Sequence, residues 1–71
     1  MQSAEWILLS PSIAREGYIQ LEYPDGSIDN VAGSLMNAVA WFLEGYEPSD
    51  VYAITSSPSG RGVVIYYRKP K

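Results

Sequence analysis

Apolar residues recur along this chain at two spacings, and the change from one to the other divides it into strands and a single helix. Glu5 to Leu9 contains the continuous apolar run Trp6-Ile7-Leu8-Leu9 and reads as a first strand, ended by Ser10-Pro11-Ser12. Ile13 to Gly17 reads as a turn or one helical turn. From Tyr18 the spacing becomes two, with Ile19, Leu21 and Tyr23 apolar against Gln20 and Glu22, which is the pattern of a half-buried strand. Pro24-Asp25-Gly26-Ser27 then supplies a hairpin turn.

Two registers are open at that hairpin. A two-residue Asp25-Gly26 turn pairs Tyr23 with Ile28 but opposes Glu22 and Asp29, two like charges. A three-residue Pro24-Asp25-Gly26 loop removes the repulsion and places Ile28 opposite Glu22.

The spacing next becomes helical, from Gly33 or Ser34 to about Gly45. Ser34 is suited to cap the first turn, Gly45 to end the helix in a left-handed conformation, and Pro48 to prevent continuation. With Leu35 at zero and about 100° per residue, Val31, Ala32, Leu35, Ala38, Val39, Phe42, Leu43 and Tyr46 share one arc. Trp41 falls outside it, at about 240°, with Ser34 and Asn37. A short chain has few aromatic residues to spare from its core, so a solvent-facing Trp41 marks a surface that meets another molecule.

Val51 to Thr55 and Gly62 to Arg68 read as a closing hairpin joined by the turn-forming stretch Ser56 to Gly60. Residues 1–71 are therefore expected to form one α+β domain, in the order β-β-β-α-β-β. Its single-layer antiparallel sheet of four to five strands would carry one helix on one face. If Ile19, Leu21, Val63, Ile65 and Tyr67 face that helix, then Tyr18, Gln20, Glu22, Val64, Tyr66 and Arg68 face away. Tyr18, Tyr66 and Arg68 are residue types that binding surfaces favour.

Composition narrows the chemistry. At 71 residues the chain has little room for a deep pocket, and without cysteine it has neither disulfides nor thiolate metal sites. No charged leader precedes the short N-terminal apolar run, and no stretch approaches the roughly 18 apolar residues that span a bilayer, so a cytoplasmic location is expected. The net charge of −3 is uneven: residues 1–50 hold all eight acids and only Arg15, whereas residues 51–71 hold four bases and no acid.

Without His or Cys the usual general base near neutral pH and the usual soft nucleophile are missing, and no carboxylate pair demands acid–base work, so catalysis is not expected. Asp25 to Asn30 places oxygen donors at alternate positions, but a calcium loop needs Gly sixth and a bidentate acid twelfth, where this chain has Asn30 and Met36. Ser59-Gly60-Arg61-Gly62 could offer N–H groups to an anion, but a strand follows it instead of a helix. Neither a metal nor a cofactor is expected.

A non-catalytic protein-binding module is the expected function, with Trp41, Asn37 and Glu44 displayed together on the helix and Tyr18, Tyr66 and Arg68 on the open sheet. Glu22, Asp25, Asp29, Glu47 and Asp50 would supply an acidic contact surface. In size, composition and hairpin-helix-hairpin order, the chain resembles small intracellular inhibitors encoded by phages and mobile elements, including those directed at bacterial defence systems. That resemblance implies occlusion of a surface on a larger protein complex and carries over no functional residue. Two alternatives stay open: a nucleic-acid-binding domain using the basic stretch Tyr66 to Lys71, and a self-associating accessory subunit, a homodimer in its simplest form.

Overall fold

The computed structural model describes residues 4–68 and builds one antiparallel sheet from β1 (Ala4–Pro11), β2 (Tyr18–Glu22), β3 (Ile28–Ala32), β4 (Val51–Ser56) and β5 (Val63–Arg68). The strand order is β3-β2-β1-β5-β4. Helix α1 (Leu35–Leu43) and a short 3-10 turn, Pro48–Asp50, connect β3 at one edge to β4 at the other. The architecture is thus α+β, with five strands and one helix among the described residues.

The continuous apolar run places β1 at the centre. A strand flanked on both sides can bury residues on both faces, and β1 pairs with β2 from Leu8↔Glu22 to Pro11↔Ile19 and with β5 from Ala4↔Arg68 to Leu9↔Val63. This strand extends beyond Leu9 because Ser10 and Pro11 still find partners in Gln20 and Ile19. Ile7, Leu9, Leu21 and Ile65 are fully buried on the helix side, joined by Ile19, Ala38, Phe42 and Tyr67. Each such aliphatic side chain contributes about 1.5–3 kcal/mol by leaving water.

Between β2 and β3 the register is the three-residue one. Glu22 pairs with Ile28 and Leu21 with Asp29, while the Tyr23 N–H donates to the Ser27 carbonyl at 3.0 Å. Gly26 accepts the left-handed conformation (φ +89°) that the loop demands, and the Asp25 carboxylate accepts from both the Ser27 N–H (2.9 Å) and hydroxyl (2.7 Å). Glu22 and Asp29 are no longer opposite, and Asp29 accepts from the Tyr23 hydroxyl at 3.1 Å.

Helix α1 starts as expected, with the Ser34 hydroxyl accepting from the Asn37 N–H at 3.2 Å. Val31 and Ala32, which share the helical arc on paper, belong to β3 instead, since Gly33 (φ +117°) turns the chain before the helix begins. The helix end differs from expectation: Gly45 is not left-handed. The last turn tightens through Gly45 N–H to Phe42 carbonyl (3.3 Å) and Tyr46 N–H to Leu43 carbonyl (3.1 Å). That tightening brings Tyr46 onto the core, where the Phe42, Tyr46 and Tyr67 rings meet pairwise with centroids 4.9–5.1 Å apart.

Gly62 has a steric reason. A Cβ there would run into the Leu9 carbonyl, so only glycine lets β5 enter beside β1.

Candidate functional site

Trp41 is 53% exposed, on the side of the helix away from the apolar arc. It lines a shallow hollow of about 380 Å³ with Tyr23, Phe42, Gly45 and Tyr46. Tyr23 also borders the next depression, an open cleft of about 560 Å³ whose walls include Glu5, Asp25, Ser27 and Tyr67. The two form one surface at the end of the fold where the helix finishes and the β2–β3 hairpin turns. Asn37 and Glu44 are exposed on α1, four residues before and three after Trp41, and so share its side of the helix. Asp29 joins through its hydrogen bond from Tyr23.

The electrostatics of this end are set by carboxylates. Neither the hollow nor the cleft has a Lys or Arg in its wall among the described residues. Burial, then the neighbouring Tyr46 and the Glu5 carboxylate, push the Tyr67 hydroxyl up to about 12; burial and the bond to Asp29 raise Tyr23. Both phenols therefore stay protonated at neutral pH as neutral donors beside negative charge.

The other expected contact residues lie elsewhere. Tyr18 and Tyr66 are on the open face of the sheet, which the strand alternation sets opposite the helix. Arg15 covers Tyr18, its guanidinium 4.0 Å from the ring centroid and 3.1 Å from the hydroxyl. Arg68 forms an ion pair with Asp50, with Nε donating to the carboxylate at 2.8 Å, so both members of that pair serve to join the start of β4 to the end of β5. Glu22 lies on the open face beside Leu8 and Ile28, and Glu47 precedes the 3-10 turn. The acidic set is thus divided: Asp25, Asp29 and Glu44 border the Trp41 end, whereas Glu22 is on the opposite face. Of the basic stretch Tyr66 to Lys71, residues Lys69, Pro70 and Lys71 lie outside the described residues.

Two features escaped the sequence reading. On the open face, Trp6 stands opposite Tyr66 and Leu8 opposite Val64, an apolar patch across β1 and β5. The signal was the unbroken run Trp6-Ile7-Leu8-Leu9, which must place apolar side chains on both faces of a strand. On the helix side, α1 packs chiefly over β1, and β4 is exposed from Tyr52 to Ser56. There an apolar groove of about 340 Å³ runs between Met36, Val39, Ala40 and Leu43 on the helix and Ile54 and Val63 on the sheet.

The β4–β5 loop offers little to an anion. Gly60 N–H donates to the Ser57 carbonyl, Arg61 N–H to the Ser59 hydroxyl and Gly62 N–H to the buried Ser57 hydroxyl, which engages three of the four N–H groups of the suspected cradle. No group of three or more His, Cys, Asp or Glu among the described residues is placed to hold a metal ion. No helix among them is long and apolar enough to cross a membrane. Comparisons with protein-family models, with curated proteins and with solved structures return no match.

Proposed function

We propose that this chain is a non-catalytic protein-binding module that occludes a basic surface of a larger intracellular protein, in the manner of the small inhibitors made by phages and mobile elements. The observation that carries this reading is the half-exposed Trp41, set beside Tyr23 and Tyr46 and edged by the carboxylates of Asp25, Asp29 and Glu44. A large apolar anchor surrounded by negative charge suits an apolar pocket in a surface rich in Lys and Arg. Trp41 would supply contact area at little entropic cost, and the acids would speed encounter and set orientation.

The test is a pull-down from host lysate with nuclease present, comparing wild type with a folded Trp41→Ala variant and identifying captured proteins by mass spectrometry. A protein retained by wild type, lost by the variant and released by moderate salt supports the reading. Capture that ignores both Trp41 and salt overturns it.

A further inference from the structure

The two edges of the sheet are protected differently. At β3 the edge strand carries Asp29, and Asp25 sits in the turn leading into it, so two copies meeting there would oppose like charges. The other edge, β4, runs Val51-Tyr52-Ala53-Ile54-Thr55-Ser56 with neither a charged residue nor a proline, and is exposed over Tyr52–Ser56. Natural edge strands usually carry one of those devices, or a bulge. A bulge exists here between Val51 and Ala53, but it leaves Ala53 to Ser56 in regular register against Tyr66 to Val63.

The ladder fixes which backbone groups face outward. Ser57 N–H donates to the Gly62 carbonyl at 3.0 Å, so Ser57 points its N–H toward β5. Alternation along an antiparallel strand then aims Thr55 at Val64 and turns the N–H and carbonyl of Ile54 and Ser56 away from the sheet. The Ile54 side chain stands on the helix side, as its partner Ile65 does, and is 50% exposed at the edge of the groove lined by Met36, Ala40 and Leu43. Met36 is 83% exposed, and no charged side chain among the described residues lines the groove.

We propose that β4 pairs antiparallel with the β4 of a second copy of this chain about a two-fold axis, making a homodimer with one continuous sheet. The occupant is a second copy because the surface complements itself. Two outward donor–acceptor residues spaced two apart find matching groups on the same strand turned around, which is the isologous arrangement. Charge favours it too: in a chain of net charge −3, Val51–Ser56 carries no charge and Asp50, the carboxylate just before it, is paired with Arg68, so the β4 edge brings no like charges together. The two-fold also sets the second Ile54 on the same side of the sheet, joining both apolar grooves. Trp41 lies on the other flank of the helix, so the dimer displays two Trp41 surfaces.

The test uses the full chain without a ligand. Sedimentation from low-micromolar to near-millimolar concentration should show mass rising from the 7.9 kDa of one chain toward twice that value. Across the same range, amide exchange at Ile54 and Ser56 should slow by roughly tenfold or more, because those N–H groups have no partner within their own sheet. Ser56→Pro, which removes an outward N–H and leaves the β4–β5 ladder intact, and Ile54→Lys should both remain monomeric with unchanged circular dichroism. A single-chain mass at every concentration overturns the proposal. So does a dimer in which Ile54 and Ser56 exchange freely, a folded variant that still dimerises, or open-ended assembly. If the variants fail to fold, exchange in the wild type decides.

Discussion

Helix α1 has two flanks of opposite chemistry. On one side Trp41 meets Tyr23 and Tyr46 above an acidic rim; on the other Met36, Ala40 and Leu43 face Ile54 across a groove without charge. Both expose large apolar groups, yet their settings favour different partners. Negative charge around an aromatic anchor selects a basic surface and repels a second copy. An uncharged groove beside an open strand edge carries no such bar. The difference arises from the width of the sheet: five strands spaced about 4.8 Å apart exceed the cover of one helix about 10 Å across. The helix sits chiefly over β1, and β4 is left exposed from Tyr52 to Ser56.

The largest effect should come from comparing two isoleucines that face each other in the ladder. Ile65 is fully buried, whereas Ile54, paired with it on the same side of the sheet, is half exposed. Ile65→Ala should lose about 2–5 kcal/mol of unfolding free energy and Ile54→Ala less than about 1 kcal/mol, measured by urea denaturation at low protein concentration. Equal losses would mean that the β4 half is as well covered as the centre and would remove the contrast between the flanks.

That contrast was only half legible in the sequence. Periodicity located the strands and the helix, separated Ile19, Leu21, Ile65 and Tyr67 from Tyr18, Tyr66 and Arg68, and put Trp41 outside the apolar arc, because each inference depends on the local repeat of a single element. Strand order depends on which distant segments pair. Nothing local in Val51 to Ser56 says that this hairpin strand lies at an edge, so the exposure of Ile54 was hidden. Met36 likewise stands at one border of the helical arc, and whether it is covered depends on where the helix sits across the sheet. The ion pair of Arg68 with Asp50 was missed for the same reason: the two are 18 residues apart and meet only after β4 and β5 align.

The acidic flank also makes a prediction in alkali. Tyr67 is held protonated in the folded state up to about pH 12, whereas in the unfolded chain it ionises near its ordinary value of about 10. The stabilisation is complete below pH 10 and is lost as pH rises toward 12, because the unfolded state releases its proton first. Tyr67→Phe should flatten that decline in thermal melts recorded across this range. A slope unchanged by the substitution would place the alkaline instability elsewhere.

Trp41→Ala should separate binding from folding. Half-exposed and outside the buried cluster, Trp41 should cost less than about 1 kcal/mol of stability when truncated. The same change should weaken partner binding by about 2 kcal/mol, or about thirtyfold. A stability loss of several kcal/mol would assign Trp41 to the core and turn the acidic flank into an ordinary solvated surface.

The smallest effect is expected where β4 begins. Asp50 and Arg68 pair at the end of the otherwise uncharged strand, with both side chains partly open to solvent. A pair in such a setting contributes about 0.2–1 kcal/mol and weakens as salt screens it. Arg68→Ala and Asp50→Asn should each lower stability by that amount at low ionic strength and by less at high ionic strength, and the double variant should lose little more than either single one. If each substitution instead leaves stability unchanged while raising the exchange of Val51 and Ala53 amides, the pair acts locally, holding the bulged start of β4 against Tyr66 and Tyr67. The β4 flank would then be attached by the backbone ladder and by Val51 against the core, and its openness to a second strand would follow from the same lack of cover over Tyr52 to Ser56 that leaves Ile54 exposed.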